Sequence, residues 1–284
     1  MFADDTNLIF THPNPTEFEK DINELFEKII IWFQTNLLSL SLNKTYYMQL
    51  LSKTNYAINM NISNKTNQIS NVHHTNFLGV TLDSTLSWKP HIDQLISKMN
   101  SACYVIRSLK SLIPLKTLRI IYFSSIHAIV SYSIIFWGNS IYNNTIFKLQ
   151  KRVIRIMMNA RNRESCRELF KKLKILPLHT QYILCLSLFA VKNINMFKFY
   201  SMVHSINTRH CSDLYLPTAH LTKVQKGVYH SGIKVFNCSS TGIRSLSGDI
   251  RKFKSALKRY LLEGSFYTIQ EYFDWELLSN PSLG

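Results

Sequence analysis

Glycine and proline are scarce in this 284-residue chain, which contains only 8 of the first and 7 of the second. Few obligatory breaks in the backbone favour long helices over a turn-rich β sandwich. Charged residues make up 18% of the chain and hydrophobic residues 46%. This balance excludes a disordered or collagen-like protein, and the length fits two domains or one domain with an appended region.

Cysteine is also infrequent, and its pattern argues against a disulfide framework. The five cysteines are odd in number, lie far apart and form no C-x-x-C pair. The chain opens on Met-Phe-Ala-Asp-Asp, without the basic and apolar regions of a signal peptide. We therefore expect an intracellular protein of the cytoplasm or the nucleus.

Acidic residues are few and unevenly placed. There are 17 Asp and Glu against 33 Lys and Arg, so the formal net charge is +16. Seven of the acidic residues fall within residues 1–27, whereas residues 94–163 contain none and hold eleven Lys or Arg. Such an excess of basic residues outside the N-terminal segment favours a polyanionic partner such as nucleic acid. An ordinary solvated basic surface is the alternative that composition leaves open.

Hydrophobic periodicity predicts an α+β fold that is mostly helical. Short alternating segments between residues 46 and 82 predict antiparallel strands. Helices are predicted over residues 16–33, 90–113, 115–136, 145–160, 176–199 and 250–261. The apolar stripe of the first helix comprises Phe18, Ile22, Leu25, Ile29 and Trp32 with Phe33. The stripe of the second comprises Ile92, Leu95, Ile96, Met99, Cys103 and Ile106.

Residues 120–147 carry no charge and are long enough to cross a bilayer. Polar side chains interrupt them, among them Ser124, His127 and Asn139. We therefore expect this stretch to form helices of a protein core, with no membrane partner.

Asp4 and Asp5, which follow Phe2 and Ala3, are the residues with the clearest chemistry. Adjacent carboxylates at the tip of a short hairpin can bind divalent cations that activate a hydroxyl and stabilise a departing pyrophosphate. The same residues before Thr-Asn are equally typical of a turn or a helix cap. The tetrapeptide alone leaves both interpretations open.

Phe2-Ala3-Asp4-Asp5 resembles the Tyr/Phe-Ala-Asp-Asp motif of reverse transcriptases, and three later blocks resemble the polymerases of non-LTR retrotransposons. The first block comprises Trp32-Phe33, Asn36, Leu38, Leu40 and Lys44-Thr45. The second comprises Phe77-Leu78-Gly79-Val80, Asp83, Leu86, Trp88 and His91-Ile92. The third, typical of jockey-like elements, comprises Trp137-Gly138, Leu149-Gln150-Lys151-Arg152 and Ile154-Arg155. The order and spacing of the blocks hold across nearly the whole chain.

The resemblance implies an RNA-directed DNA polymerase that uses Mg²⁺ or Mn²⁺, an RNA template, a DNA primer and deoxynucleotides. Asp4 and Asp5 match the metal-binding catalytic carboxylates of the family, and Phe2 matches the residue that packs near the primer terminus. Lys44 matches a lysine that protonates the leaving pyrophosphate, a role that suits a positioned ammonium. A surface lysine at a strand edge is the alternative for Lys44.

The same resemblance assigns a primer-gripping hairpin to Phe77, Leu78 and Gly79. Such a hairpin holds the primer end in place for in-line attack. Packing in the core of a sheet is the structural alternative for these residues, and one residue can serve both purposes.

Residues 148–174 form a basic cluster in which ten Lys or Arg face only Glu164 and Glu168. The side chains predicted to point inward are Leu149, Val153, Ile156 and Met157. The side chains predicted to follow the phosphates of template and primer are Lys148, Lys151, Arg152 and Arg155. A solvated basic face is again the alternative.

Three regions follow from the resemblance. Residues 1–82 would be a truncated polymerase palm, residues 83–200 a helical thumb and connection, and residues 201–284 a helical C-terminal region. The family's further catalytic aspartate, its fingers and its nucleotide pocket precede the Ala-Asp-Asp motif and have no match here. We therefore expect weak metal binding and no polymerisation by this chain alone. A non-catalytic nucleic-acid-binding remnant of such a polymerase is the alternative function.

Overall fold

A computed structural model describes residues 6–12, 14–51, 60–64, 67–203 and 213–279. The chain divides into two compact units, residues 1–91 and residues 92–284, which are described separately below. The division falls near the start of a long helix, whereas the regions predicted from the sequence meet at residues 82/83 and 200/201. Those regions are the polymerase subdomains that the resemblance implies, and both their identity and their bounds stay a prediction.

The described residues are mostly helical, with three small two-stranded sheets, which confirms the coarse fold class of mostly helical α+β. All six strands lie in the first unit. Its elements are α1 (Pro15–Thr35), a 3₁₀ turn (Leu42–Lys44), β1 (Tyr46–Tyr47), β2 (Ser63–Asn64), β3 (Asn67–Gln68), β4 (Ser70–Asn71), β5 (His74–Phe77) and β6 (Val80–Asp83).

Strand pairing in the first unit differs from the prediction at one place. β2 with β3 and β5 with β6 are antiparallel, as expected, but β1 and β4 pair in parallel. The antiparallel prediction is wrong there because a long connection, rather than a tight turn, joins these two strands. Part of that connection, residues 52–59, lies outside the described residues, so the alternation read between Tyr56 and Ile62 is described only from Met60 onward.

The core of the first unit lies between α1 and the segments that follow it. Phe26 is buried with Met60, Ile62 and Ile69. The predicted stripe of α1 is confirmed in part: Phe18 and Ile22 pack against this core, but the prediction omitted Phe26 and included Trp32, which is 58% exposed in the last turn. Six partly buried residues pack against this core, namely Phe18, Ile22, Ile30, Leu40, Leu42 and Tyr47.

Asn36 and Asp83, two polar residues of the motif blocks, organise the ends of helices. The Asn36 Nδ2 donates to the Trp32 carbonyl at 2.8 Å, a second hydrogen bond to a carbonyl in the last turn of α1 that also accepts from the Asn36 amide at 3.1 Å. The buried Asp83 carboxylate accepts from Thr85 Oγ1, from the Ser87 amide and from the Trp88 amide. Burial alone would raise the pKa of Asp83, but these hydrogen bonds outweigh it and lower that pKa.

Apart from one isolated β-bridge between Phe199 and Leu214, the regular elements in the described part of the second unit are helices. They are α2 (Lys89–Leu109), which begins just before the division, then α3 (Leu115–Tyr122), a π-helical turn (Phe123–His127), α4 (Ala128–Ser131), α5 (Ile134–Trp137), α6 (Asn143–Met158), α7 (Arg167–Leu173), α8 (Leu178–Lys192), a 3₁₀ turn (Ile194–Met196), α9 (Tyr200–Val203), α10 (Thr222–Gln225), α11 (Val228–Cys238), α12 (Thr241–Arg244), a 3₁₀ turn (Ser245–Gly248), α13 (Ile250–Gly264) and α14 (Ile269–Ser279). The stripe predicted for α2 is confirmed, because all its residues are buried except the half-buried Ile96.

The helical segment predicted over residues 115–136 is confirmed for most of its length but is not one regular α-helix, since the structure divides it into α3, a π-helical turn, α4 and, after residues 132–133, α5. The Ser125 hydroxyl donates to the Ile121 carbonyl at 2.6 Å, a local bond that competes with the helical pattern. Ser133 then takes a left-handed conformation with φ 54°. The predicted break at Gly138 is present, and a Cβ there would lie 2.4 Å from Tyr182 Cδ2.

α8 is the central helix of the second unit, with neighbours α4, α5, α6, α11, α13 and α14. Most of its residues are buried, as expected of a helix that is apolar on nearly every side. Within the described residues no single helix is long and apolar enough to cross a membrane; only α7 and α8 taken together, bent by 55°, meet that test by length and composition. The closing helix is α14, which was not predicted.

Candidate nucleic-acid interface

α6 carries the predicted basic cluster, and its buried face fixes where the basic side chains point. The buried residues of the helix are Asn143, Ile146, Phe147, Gln150, Val153, Ile154 and Met157. Val153 and Met157 point inward as predicted, whereas Leu149 and Ile156 are only half-buried. Lys148 and Arg152 are exposed, and Lys151 and Arg155 are half-buried.

Gln150 holds α6 to its neighbours through three hydrogen bonds. Its Nε2 donates to the Tyr122 hydroxyl at 2.9 Å and to the Leu176 carbonyl at 3.0 Å. Its Oε1 accepts from the Leu178 amide, the first amide of α8, at 2.8 Å. Because Gln150 is only 1% exposed, these bonds replace water completely and set the position of α6.

Lys151 lies over aromatic rings. Its Nζ is 4.6 Å from the centre of the Phe147 ring and 5.5 Å from that of Tyr267. The Arg167 guanidinium lies 4.7 Å from the Tyr267 ring and forms an ion pair with Glu271 at 2.6 Å. These contacts are cation–π interactions, so Lys151 takes part in packing as well as in the local positive charge.

His179 is 4% exposed and lies edge-on to Phe147, with ring centres 5.1 Å apart. Burial, followed by the nearby charge of Lys151, lowers the pKa of His179 from 6.5 to about 4. Between pH 4 and pH 6.5 the imidazole binds a proton in the unfolded chain but not in the folded protein. The contribution of neutral His179 to the free energy of unfolding is therefore fully present above about pH 6.5 and is lost as the pH falls toward 4.

We therefore expect acidification from pH 6.5 to 4 to lower the free energy of unfolding, with His179 contributing on the order of 3 kcal/mol. Urea unfolding at several pH values measures this loss. The variant His179→Leu should flatten the pH profile over this range. An identical slope in the variant and the wild type would show that His179 does not cause the loss.

Arg152 and Arg155 meet Arg107 of α2 and Lys110, the residue that follows α2, in a groove of about 620 Å³. We call this the α2–α6 groove. The remaining lining residues are Ile156, Asn159, Ala160 and Asn162. Its lining thus carries four cationic side chains and no carboxylate, which makes the groove a concentrated positive surface.

Internal hydrogen bonds orient part of the groove. Lys110 Nζ donates to Asn159 Oδ1 at 2.6 Å, and the Arg155 guanidinium donates to the Glu164 carbonyl from Nε at 3.0 Å and Nη2 at 2.8 Å. Among the described residues, Arg107 and Arg152 have no hydrogen bond or ion pair. These two guanidinium groups are therefore free to bind an anion, and the other two supply charge from fixed positions.

Of the four cations predicted on α6, Arg152 and Arg155 line the groove, whereas Lys148 and Lys151 do not. Sequence reasoning missed Arg107 and Lys110. Both lie off the apolar stripe of α2, three residues apart and within the stretch that lacks carboxylates. That combination is a signal for an exposed basic face, but it does not reveal that the face meets α6.

Phe77, Leu78 and Gly79 lie at the tip of the β5–β6 hairpin. Phe77 pairs with Val80, so Leu78 and Gly79 form a two-residue turn, with φ of 48° and 77° respectively. Positive φ at both positions is typical of a type I′ turn, which strains leucine. Phe77 is 38% exposed and Leu78 47%, so neither packs in a sheet core.

The residues assigned to the polymerase chemistry are only partly described. Lys44 is exposed at the end of the 3₁₀ turn Leu42–Lys44. Phe2, Asp4 and Asp5 lie outside the described residues. Across the part of the chain that is described, no three His, Cys, Asp or Glu side chains are arranged to bind a metal ion.

Comparison of the chain with protein-family models, with curated proteins and with solved structures finds no match in any of the three. The resemblance to reverse transcriptases therefore rests on the motif residues themselves. The α2–α6 groove is an independent observation, because its shape and charge come from the structure.

Proposed function

We propose that the chain is the C-terminal portion of a non-LTR retrotransposon reverse transcriptase, and that its second unit binds nucleic acid in the α2–α6 groove. The observation that carries the proposal is the convergence of Arg107, Lys110, Arg152 and Arg155 on one groove without a carboxylate. Guanidinium and ammonium groups neutralise phosphates, and neutralisation releases the counterions that surround nucleic acid.

The chemistry of the groove supports backbone binding rather than recognition of one sequence. Its cations can all contact phosphate oxygens, which carry no sequence information. Asn159 and Asn162 are the neutral polar side chains of the lining, and Asn159 already accepts a bond from Lys110. We therefore expect binding of RNA and DNA with little sequence preference, as a polymerase that moves along its template requires.

The catalytic part of the proposal rests on the motif residues. Asp4 and Asp5 would hold Mg²⁺ or Mn²⁺, Lys44 would protonate pyrophosphate, and Phe2 would lie at the primer end. The exposed tip of the β5–β6 hairpin suits contact with a primer, since Phe77 and Leu78 expose apolar surface there. The absence of polymerisation by this chain alone stays a prediction.

Reversing the two unpaired guanidinium charges tests the groove. The double variant Arg107→Glu/Arg152→Glu should weaken the binding of unrelated RNA and DNA sequences alike, on the order of tenfold or more. Fluorescence anisotropy with labelled oligonucleotides measures the affinity. Lys192→Glu/Lys234→Glu is the matched control, because it changes the net charge equally at exposed residues of the same unit outside the groove.

The control should retain most of the affinity. Equal losses in both double variants would mean that net charge, and not the groove, holds nucleic acid. A loss confined to one sequence would contradict backbone binding.

A further inference from the structure

A second basic groove lies between α7 and α13. Its lining residues are Lys171, Lys174, Ser255, Lys258, Arg259, Leu262 and Glu263, and its volume is about 460 Å³. We call it the α7–α13 groove. None of its residues belongs to the α2–α6 groove, so the second unit contains two separate concentrations of positive charge.

Packing of α13 against the core determines which face of the helix carries its basic side chains to solvent. Phe253, Leu257 and Leu261 are each 0% exposed, so the apolar face of the helix is completely used in packing. At its start the Asp249 side chain accepts from the amides of Arg251 and Lys252, an N-cap that anchors the helix end. The basic face of α13 is therefore a rigid surface.

The charge of the α7–α13 groove is largely unpaired. Lys171 forms an ion pair with Glu168 at 3.1 Å, one turn away on α7. Within the described part of the chain, Lys174, Lys258 and Arg259 have no hydrogen bond or ion pair, and all three are exposed. Glu263 is the one carboxylate of the lining, so the positive charges outnumber it.

The basic surface continues along α13 beyond the groove. Arg251, Lys252 and Lys254 are exposed and precede Lys258 and Arg259 on the same helix. At 1.5 Å per residue, the distance from residue 251 to 259 is about 12 Å along the helix axis. One strand of a duplex advances about 3.4 Å per phosphate, so this length corresponds to three or four phosphates rather than to one small anion.

A membrane surface fits this groove less well than a polynucleotide. Helices that bind membranes insert a free apolar face, but the apolar face of α13 is buried in the core. Leu262, the apolar residue of the lining, is only half-buried and stands alone. The groove therefore offers charge and concavity without a surface that could enter lipid.

We propose that the α7–α13 groove is a second binding site for the phosphate backbone of nucleic acid, used together with the α2–α6 groove. The inference rests on the proposed function for the nature of its ligand, although its residues are different. Two sites on one unit act as a bivalent binder, since a strand held in one groove is at high effective concentration near the other.

Short and long single-stranded RNA of unrelated sequence distinguish the contributions of the two grooves. An RNA of about 10 nucleotides should occupy either groove, so calorimetry should find two sites in the wild type and one in Lys258→Glu/Arg259→Glu. An RNA of about 40 nucleotides should bind once, more tightly than the short RNA by on the order of a hundredfold or more. The same variant should lose most of that gain.

Two further variants complete the test. Lys258→Gln/Arg259→Gln removes the charge without adding carboxylates and should change binding in the same direction by less, while Lys192→Glu/Lys234→Glu should behave as the wild type. Two short-RNA sites with unchanged affinity in Lys258→Glu/Arg259→Glu would overturn the proposal. The proposal would also be overturned if that variant lost binding to phosphatidylserine vesicles while its RNA binding stayed unchanged.

The result also separates this inference from the proposed function. If Arg107→Glu/Arg152→Glu still binds two short RNAs, the α2–α6 groove does not bind nucleic acid, and that part of the proposed function is wrong. If in the same experiment Lys258→Glu/Arg259→Glu loses one site, the α7–α13 groove stands by itself.

Discussion

Replacing Met99 by aspartate is expected to unfold the second unit or to lower its free energy of unfolding by about 4 kcal/mol or more. Met99 is 0% exposed and lies in the middle of the buried stripe of α2, between Leu95 and Cys103. A carboxylate there would lose its hydration without gaining a partner. Thermal unfolding followed by circular dichroism measures the effect.

Two controls on the same helix identify the cause. Asn100→Asp adds the same carboxylate one residue further, at an exposed position, and should change stability little. Met99→Leu preserves the volume and polarity of the core and should cost less than about 1.5 kcal/mol. Unchanged unfolding of Met99→Asp would show that the α2 stripe does not face the core.

Substitution of Gln150 by leucine should also cost several kcal/mol, although leucine has a similar size and is more apolar. The change leaves the Tyr122 hydroxyl, the Leu176 carbonyl and the Leu178 amide without their partner in a dry interior. Each such group costs about 1–3 kcal/mol. Urea unfolding of the purified variant measures the sum.

Lys148→Leu is the matched control for Gln150→Leu, because Lys148 is exposed on the same helix. It should leave the unfolding free energy nearly unchanged. Equal unfolding free energies for both variants would show that the hydrogen bonds of Gln150 do not stabilise the packing of α6 against Tyr122 and the start of α8.

The long helices could be predicted from the sequence where apolar periodicity alone decides the structure. α2 is such a case, because its stripe from Ile92 to Ile106 is regular and Pro114 follows its end. The predictions failed where a local hydrogen bond or a polar core residue competes with periodicity. Ser125 and Ser133 interrupt the helix predicted over residues 115–136, and Gln150 is a buried polar residue that shifts the inward face of α6.

The candidate groove was predictable only in part, for a related reason. The cluster on α6 identified Arg152 and Arg155, but the meeting of α6 with Arg107 and Lys110 depends on tertiary packing. Lys151 was predicted to bind phosphate because it lies in the same basic cluster off the apolar face of α6; its contact with the Tyr267 ring could not be predicted, since Tyr267 is far away in the sequence. Charge runs thus predict that a surface is basic, and packing decides which of its cations share a groove.

The salt dependence of nucleic-acid binding tests the α2–α6 groove most directly. For the wild type, the logarithm of the association constant should fall linearly with the logarithm of the salt concentration. In Arg107→Gln/Lys110→Gln/Arg152→Gln the slope on duplex DNA should be shallower by about 0.9 for each phosphate that is no longer neutralised, or roughly 2.7 for three phosphates. The control Lys192→Gln/Lys234→Gln should keep the wild-type slope. Parallel lines for the wild type and the groove variant would contradict phosphate binding in this groove.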